Sequence, residues 1–102
     1  IGHPPYQNLF YRIKKTNHPV TSDLSDFQMQ DELYMFEFTN PEQIDILLEC
    51  HFEGKDYPVA WVKTLETGRI AYISPGHSGE SFRNAMFRKL IRNCALWCCK
   101  EI

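Results

Sequence analysis

The sequence predicts an α+β domain in which one long C-terminal helix packs on a five-strand, mostly antiparallel sheet. Short segments between residues 8 and 74 alternate apolar and polar side chains and are separated by turn residues, as is typical of strands. The connections between the last three segments are too short for parallel crossovers, so these segments are expected to form antiparallel hairpins. From Phe82 to Cys98, apolar residues recur at three- and four-residue steps, which indicates one amphipathic helix.

The five predicted strands follow one another along the first three quarters of the chain. They span Asn8 to Lys15, Gln28 to Phe38, Ile44 to Phe52, Pro58 to Leu65, and Arg69 to Ser74. In the second strand, a period of two places Met29, Asp31, Leu33 and Met35 on one face, and Gln30, Glu32, Tyr34, Phe36 and Phe38 on the other. One helix on such a sheet forms a two-layer domain.

The C-terminal helix is predicted to begin at Ser78 or Ser81, since serine is a favoured N-cap. Its apolar stripe comprises Phe82, Ala85, Met86, Leu90, Ile91, Cys94, Ala95, Trp97 and Cys98. Its other face carries mainly Arg83, Arg88, Lys89, Arg92 and Asn93, which is typical of a solvated helix face.

Composition excludes several classes of protein. The 102 residues are enough for one domain, and 43% hydrophobic and 14% aromatic content indicates a real core. The net charge of -2 gives no reason to expect a nucleic-acid partner. No run approaches the ~18 apolar residues that a membrane span needs, so no membrane partner is predicted.

Four cysteines, Cys50, Cys94, Cys98 and Cys99, are predicted to be reduced, buried, small apolar residues. Three of them fall in the helical pattern rather than in loops, which favours a cytoplasmic setting over a disulfide framework. A metal site using Cys94, Cys98 and a histidine is an alternative without supporting ligand spacing. The sequence also lacks a phosphate loop, a dinucleotide fingerprint and a complete metal motif, so no cofactor is predicted.

Several short motifs occur in a fixed order along the chain. They are GHPPY, HPVTSDLSDF, DELY, PVAW, GRIAYISPGH and FRKLIRNCALW. In this order and rough spacing they resemble the ThuA-like (trehalose utilisation) family over nearly the whole chain. The resemblance implies a fold related to class I glutamine amidotransferases, in which the N-terminal half holds a parallel flavodoxin-like sheet. Because members of that family are about twice this length, residues 1–102 are expected to form one partial or shortened ThuA-like domain that contains only the C-terminal half.

The missing half has two consequences for the predictions. In amidotransferase-like folds the nucleophile elbow lies in that half, and no cysteine here stands in a Gly-x-Cys-x-Gly setting, so no catalytic cysteine is assigned. The surface around Phe36, Phe38, Leu47 and Trp61 is expected to need a cover, supplied by the missing half, by a homodimer, by a partner chain or by a rearranged sheet.

The resemblance points to Asp31, Glu32 and Tyr34 of the DELY motif as site residues. Neighbouring residues in a strand point to opposite faces, so the two carboxylates cannot act as one pair. Glu32 shares its predicted face with Tyr34 and Phe36, an apolar setting that suits a general acid or base, with Asp31 the second acidic candidate. The alternative is an edge strand whose acidic side chains point to water and discourage aggregation.

The resemblance also points to Gly76, His77 and His18. His77 follows a predicted strand and precedes a helix, where ligand sites of open α/β sheets gather. A neutral imidazole there can bind a metal, shuttle a proton or form a hydrogen bond with a sugar hydroxyl. The alternatives are that His77 only bonds the loop backbone and that His18 only ties down a loop. Trp61 and Trp97 are most simply core residues, although Trp61 could stack on a sugar.

Two functions remain open at this stage. The first is an enzyme, or part of one, that acts on a carbohydrate, with Glu32 and His77 as catalytic residues and Tyr34, His18 and Gly76 contacting the sugar. The second is a non-catalytic binding or oligomerisation module derived from the same fold. Retention of the motifs favours the first, and chain length favours the second.

Overall fold

The computed structural model describes residues 4–35, 44–76, 79 and 81–102. Its elements are β1 (Gln7–Ile13), β2 (Phe27–Asp31), β3 (Asp45–Phe52), β4 (Lys55–Thr64), β5 (Arg69–Ile73), a short 3-10 turn (Ser81–Arg83) and α1 (Ala85–Cys98). The strands form one sheet in the order β2-β1-β3-β4-β5, and every neighbouring pair is antiparallel. The predicted α+β fold, a five-strand antiparallel sheet with one C-terminal helix, is confirmed.

The core lies between α1 and one face of the sheet, which we call the inner face. Leu9 and Tyr11 of β1, and Met29 of β2, point into it at alternate positions, as the pleat of a strand requires. From α1 it receives Phe87, Leu90, Cys94 and Trp97. On the opposite, outer face, β2 carries Gln28 and Gln30 and β1 carries Phe10 between polar residues, whereas Trp61 of β4 lies beside Ile70 and Tyr72 of β5.

The buried stripe of α1 is rotated relative to the predicted one. Phe87 and Asn93 are buried, whereas Ala85 and Ala95 are exposed and Phe82 precedes the helix. The Asn93 side chain can be buried because its amide nitrogen donates to the carbonyl of Val20 and to Oδ1 of Asp23, each at 2.9 Å. No described helix is long and apolar enough to span a membrane.

Two extra residues keep the centre of the sheet in register. The β3–β4 pairing shifts on either side of Leu48, so that Leu47 in β3 and Val59 in β4 each lack a direct partner. These two bulges compensate for one another. Both side chains are buried, with exposures of 0% for Leu47 and 2% for Val59. The prediction that Leu47 needs an external cover is therefore wrong, and Phe36 and Phe38 lie outside the described residues.

Strand β2 is shorter than predicted. It ends at Asp31, which pairs with Gln7 at the start of β1, and residues 32–35 are not in a strand. Continuing this register would place Pro5 and Pro4 opposite Leu33 and Tyr34. Proline has no amide hydrogen to donate to the ladder, so the pairing stops where β1 begins.

The helix begins later than predicted. Its N-cap is Asn84, whose side-chain oxygen accepts a hydrogen bond from the Phe87 amide at 3.0 Å and whose side-chain nitrogen donates to the Gln28 carbonyl at 3.0 Å. Asn84 thus both caps α1 and ties it to β2. Ser81 is buried at the start of the 3-10 turn, and its hydroxyl donates to the Gln30 carbonyl at 3.5 Å. Ser78 lies outside the described residues.

Candidate functional site

A buried carboxylate joins the end of β2 to the segment that follows β5. Asp31 points to the inner face and its side chain is fully buried. One carboxylate oxygen accepts a hydrogen bond from the Glu32 amide at 2.8 Å, and the other accepts one from the Gly76 amide at 2.7 Å. Backbone amides are the partners that make burial of a carboxylate affordable. The bond to Gly76 brings the end of β2 and the residues that directly follow β5 together.

Gly76 occupies a position where any other residue would be strained. Its φ is +114°, a conformation that L side chains rarely adopt. An added Cβ would lie 3.2 Å from Cζ of Phe87 and 3.4 Å from Cζ of Phe82. The chain that leaves β5 therefore runs against the aromatic rings at the start of α1. His77 follows Gly76 in the sequence but lies outside the described residues.

The side chains of Glu32 and Tyr34, which follow Asp31 in the chain, form a hydrogen bond with each other. The Tyr34 hydroxyl donates to a carboxylate oxygen of Glu32 at 2.9 Å, and both residues are half-buried. This hydrogen bond, together with desolvation and the negative charges of Glu32 and Asp31, raises the pKa of Tyr34. Tyr34 therefore stays a neutral donor that fixes the orientation of the Glu32 carboxylate.

The contacts of Asp31 fit a positioning role better than proton transfer, because both of its carboxylate oxygens already accept hydrogen bonds from backbone amides.

Tyr11 is a further residue of this region that the sequence did not single out. It is 1% exposed and stacks on Phe27 with ring centroids 5.0 Å apart. Burial, and then the charge of Asp31, raises its pKa. Nothing in the alternation of β1 distinguishes Tyr11 from an ordinary core residue.

His18 lies beside the C-terminal end of α1, whereas this cluster lies beside its N-terminal end. Its Nδ1 accepts the Val20 amide at 3.1 Å, and its ring meets the edge of Trp97 with centroids 5.1 Å apart. Burial is the main cause that lowers the pKa of His18. Phe87, beside Gly76, and Trp97, beside His18, are about 15 Å apart along the helix axis. The structure does not bring His18 to the Asp31 cluster, and these contacts favour a loop-fixing role.

The two tryptophans have different environments. Trp97 is 5% exposed in the core, as predicted. Trp61 is half-buried on the outer face, where it stacks on Tyr72 with ring centroids 4.5 Å apart and planes inclined by 11°. The prediction of a core position for Trp61 is therefore wrong.

The cysteines also differ in exposure. Burial raises the pKa of the Cys50 and Cys94 thiols to about 12, which leaves them unreactive at neutral pH. Cys98 is half-buried and Cys99 is exposed, so the prediction of four buried thiols is wrong for Cys99. Among the described residues, no group of three or more His, Cys, Asp or Glu side chains is placed to hold a metal ion.

Comparison with known proteins relates the chain to one family. The model of the ThuA family, described as trehalose utilisation, matches residues 1–98. The crystal structure of a ThuA-like protein from Bacteroides uniformis superposes with a TM-score of 0.80 at 21% sequence identity. That match covers 96% of this chain and 46% of the Bacteroides chain, so this chain spans about half the length of the neighbour. A search of curated proteins finds no match.

Proposed function

Because the chain belongs to the ThuA (trehalose utilisation) family, we propose that it forms part of a protein that acts on a carbohydrate and that its sugar site lies where β2 and β5 end. The observation that supports this site is the hydrogen bond between Asp31 and Gly76. It joins two motifs that are far apart in the sequence, and each motif carries polar groups suited to a sugar hydroxyl.

In this proposal each residue has a separate role. Glu32 transfers a proton to or from the sugar, and His77, the next residue after Gly76, is its partner in proton transfer or ligand binding. Tyr34 orients Glu32 through its 2.9 Å hydrogen bond. Asp31 holds the end of β5 in place, and Gly76 permits the turn that leads to His77.

We also propose that a second part completes the domain. The Bacteroides uniformis protein contains a further half that has no counterpart in this chain, since the match covers 46% of it. The amidotransferase-like parallel sheet implied by the family resemblance would belong to that part. The reduced, buried Cys50 and Cys94 fit the proposal of a cytoplasmic protein, where thiols stay reduced.

A titration of the chain with trehalose, other disaccharides and their oxidised forms, followed by NMR, tests the sugar site. We expect amide shifts confined to the neighbourhood of Glu32, Tyr34 and Gly76, and a roughly tenfold or greater loss of affinity in Glu32→Gln if the carboxylate accepts a hydroxyl bond. Glu53→Gln, in the exposed turn between β3 and β4, is the matched control and should bind like the original chain. Shifts centred elsewhere, or equal affinity in both variants, would refute the site.

The second candidate is a non-catalytic binding module. The exposed apolar side chains of β5 on the outer face favour it, because such a surface marks a contact with another protein surface. The same titration distinguishes the two functions: a module of this kind shows no saturable shifts around Glu32 with any of the sugars.

A further inference from the structure

The sheet is open along β5. In the described part of the chain, β5 is the last strand in the sheet order and pairs with β4 alone. The amide of Ser74 bonds the carbonyl of Val59, and the turn below β5 closes with bonds between Leu65 and Gly68. Antiparallel ladders alternate, so the backbone groups of Ile70 and Tyr72 point toward β4. Those of Arg69, Ala71 and Ile73 point away from it, toward the open edge.

The side chains of β5 suit a strand that is covered on both faces. Ala71 and Ile73 face α1 on the inner side, where they pack against the core. On the outer side, Ile70 is 51% exposed and Tyr72 is 44% exposed, next to the ring of Trp61. Near-continuous apolar sequence is typical of strands inside a sheet with two covered faces, not of edge strands.

The opposite edge of the sheet, formed by β2, carries polar side chains and offers no free carbonyl groups at Gln28 and Gln30. In β2 the outward side chains are Gln28 and Gln30, both exposed and polar. Their carbonyl oxygens already accept hydrogen bonds from Asn84 and Ser81 at the start of α1. A strand edge with polar side chains and occupied carbonyls does not invite another strand. Of the two edges of the described sheet, the β5 edge combines an open backbone with apolar side chains and the β2 edge does not.

We propose that the half of a ThuA-like domain that this chain lacks adds a β-strand along β5 and lays an apolar surface over Trp61, Ile70 and Tyr72. The inference rests on the proposal that a second part completes the domain, but not on the proposed sugar site. Strand addition satisfies the outward backbone groups of Arg69, Ala71 and Ile73. In the Bacteroides uniformis protein, whose fold matches at a TM-score of 0.80, the part of the chain outside the match is the kind of half-domain proposed to cover this surface.

A second copy of this chain fits less well. Two copies that pair through their β5 edges would satisfy the backbone groups of both strands. That pairing would extend the sheet sideways and would not reduce the exposure of Ile70 and Tyr72 on the outer face of each copy. A half-domain that brings both a strand and an additional layer covers the edge and the face together.

Hydrogen exchange of a chimaera tests the proposal. The chimaera carries the part of the Bacteroides uniformis protein outside the match, with its matched part replaced by this chain. In the isolated chain we expect the amides of Arg69, Ala71 and Ile73 to exchange at least tenfold faster than those of Ile70 and Tyr72. In the chimaera they should slow to the rate of the paired amides, and Trp61 emission should shift to shorter wavelength.

Two variants make the test decisive. Tyr72→Lys should remove the protection of Ala71 and Ile73 in the chimaera, because the outer face would then bury a charge. Gln30→Lys, on the opposite edge strand, should leave it intact. Unchanged fast exchange in the chimaera would overturn the proposal, as would an isolated chain that is already a dimer with a protected Ala71. This test measures amide exchange and not sugar binding. A negative result therefore does not refute the sugar site, and a negative sugar titration does not refute strand addition.

Discussion

At the scale of single residues, Gly76 carries more structural constraint than its size suggests. Its φ of +114° and the Cζ atom of Phe87, 3.2 Å from where a Cβ would be, both require glycine. We expect Gly76→Ala to lower the free energy of unfolding by about 2–3 kcal/mol, since such a backbone conformation costs about 1–3 kcal/mol for other residues and the ring must also shift. Urea unfolding followed by circular dichroism measures the loss.

Gly68 in the β4–β5 turn provides the matched control. Nothing lies within 4 Å of its Cβ position, and its φ is outside the left-handed region. Gly68→Ala should therefore change the free energy of unfolding by less than about 0.5 kcal/mol. Equal losses in the two variants would mean that the turn at Gly76 relaxes easily and does not hold the end of β5 against α1.

His18 makes stability depend on pH. Its neutral ring is favoured in the folded chain because burial, and then Lys15 and Arg69, lower its pKa below the ordinary 6.5, against the opposing effect of Asp45. Below that pH the unfolded chain binds a proton that the folded chain does not, so stability is present above pH 6.5 and is lost as pH falls. The slope due to this residue is at most about 1.4 kcal/mol per pH unit.

Replacing His18 by asparagine keeps an acceptor for the Val20 amide and removes the titration. Urea unfolding at about pH 7.5 and about pH 5.5 should show a smaller acid loss in His18→Asn than in the original chain. His51→Asn, which alters an exposed histidine paired with Asp56 at 2.8 Å, should retain the loss due to His18. An unchanged acid loss in His18→Asn would show that another group is responsible.

At the scale of elements, local pattern determines the strands better than it determines where they stop. Alternation placed Met29, Asp31 and Leu33 on one face, and all three are buried. The end of β2 depends on the partner strand, where Pro5 stands opposite Leu33 if the register continues. An alternating run does not reveal its partner, so the pattern carries β2 past Asp31 into residues 32–35, which are not in a strand.

The candidate site shows the same division between local and distant information. Glu32 and Tyr34 are two residues apart and contact each other as their spacing predicts, although the strand ends before both of them. The bond from Gly76 to Asp31 joins residues 45 apart in the sequence, and no periodicity in either segment indicates it. Similarly, the sequence pattern indicates no role for Asn84, because one of its two hydrogen-bond partners, the Gln28 carbonyl, belongs to a distant strand. Family resemblance, rather than spacing, selected Asp31 and Gly76 together.

At the scale of the whole molecule, Trp97 is the point where three parts of the chain meet. The Arg69 guanidinium, at the start of β5, lies 4.8 Å from its ring centroid and donates to its carbonyl at 2.8 Å. The His18 ring, from the loop between β1 and β2, meets it from another direction. One helix residue therefore links both edges of the sheet, and we expect sheet and helix to unfold together.

Two single-tryptophan variants test this cooperativity, because Trp61 reports on the outer face of the sheet and Trp97 on its contact with α1. We expect Trp97→Phe to lower the free energy of unfolding by about 2 kcal/mol, through lost packing and a weaker contact with Arg69, and Trp61→Phe to lower it by less than about 1 kcal/mol. In each variant, the remaining tryptophan's fluorescence and the circular dichroism of α1 should give the same urea midpoint. A Trp61 transition that precedes the loss of α1 would show instead that β4 and β5 separate from the rest of the sheet before the helix melts.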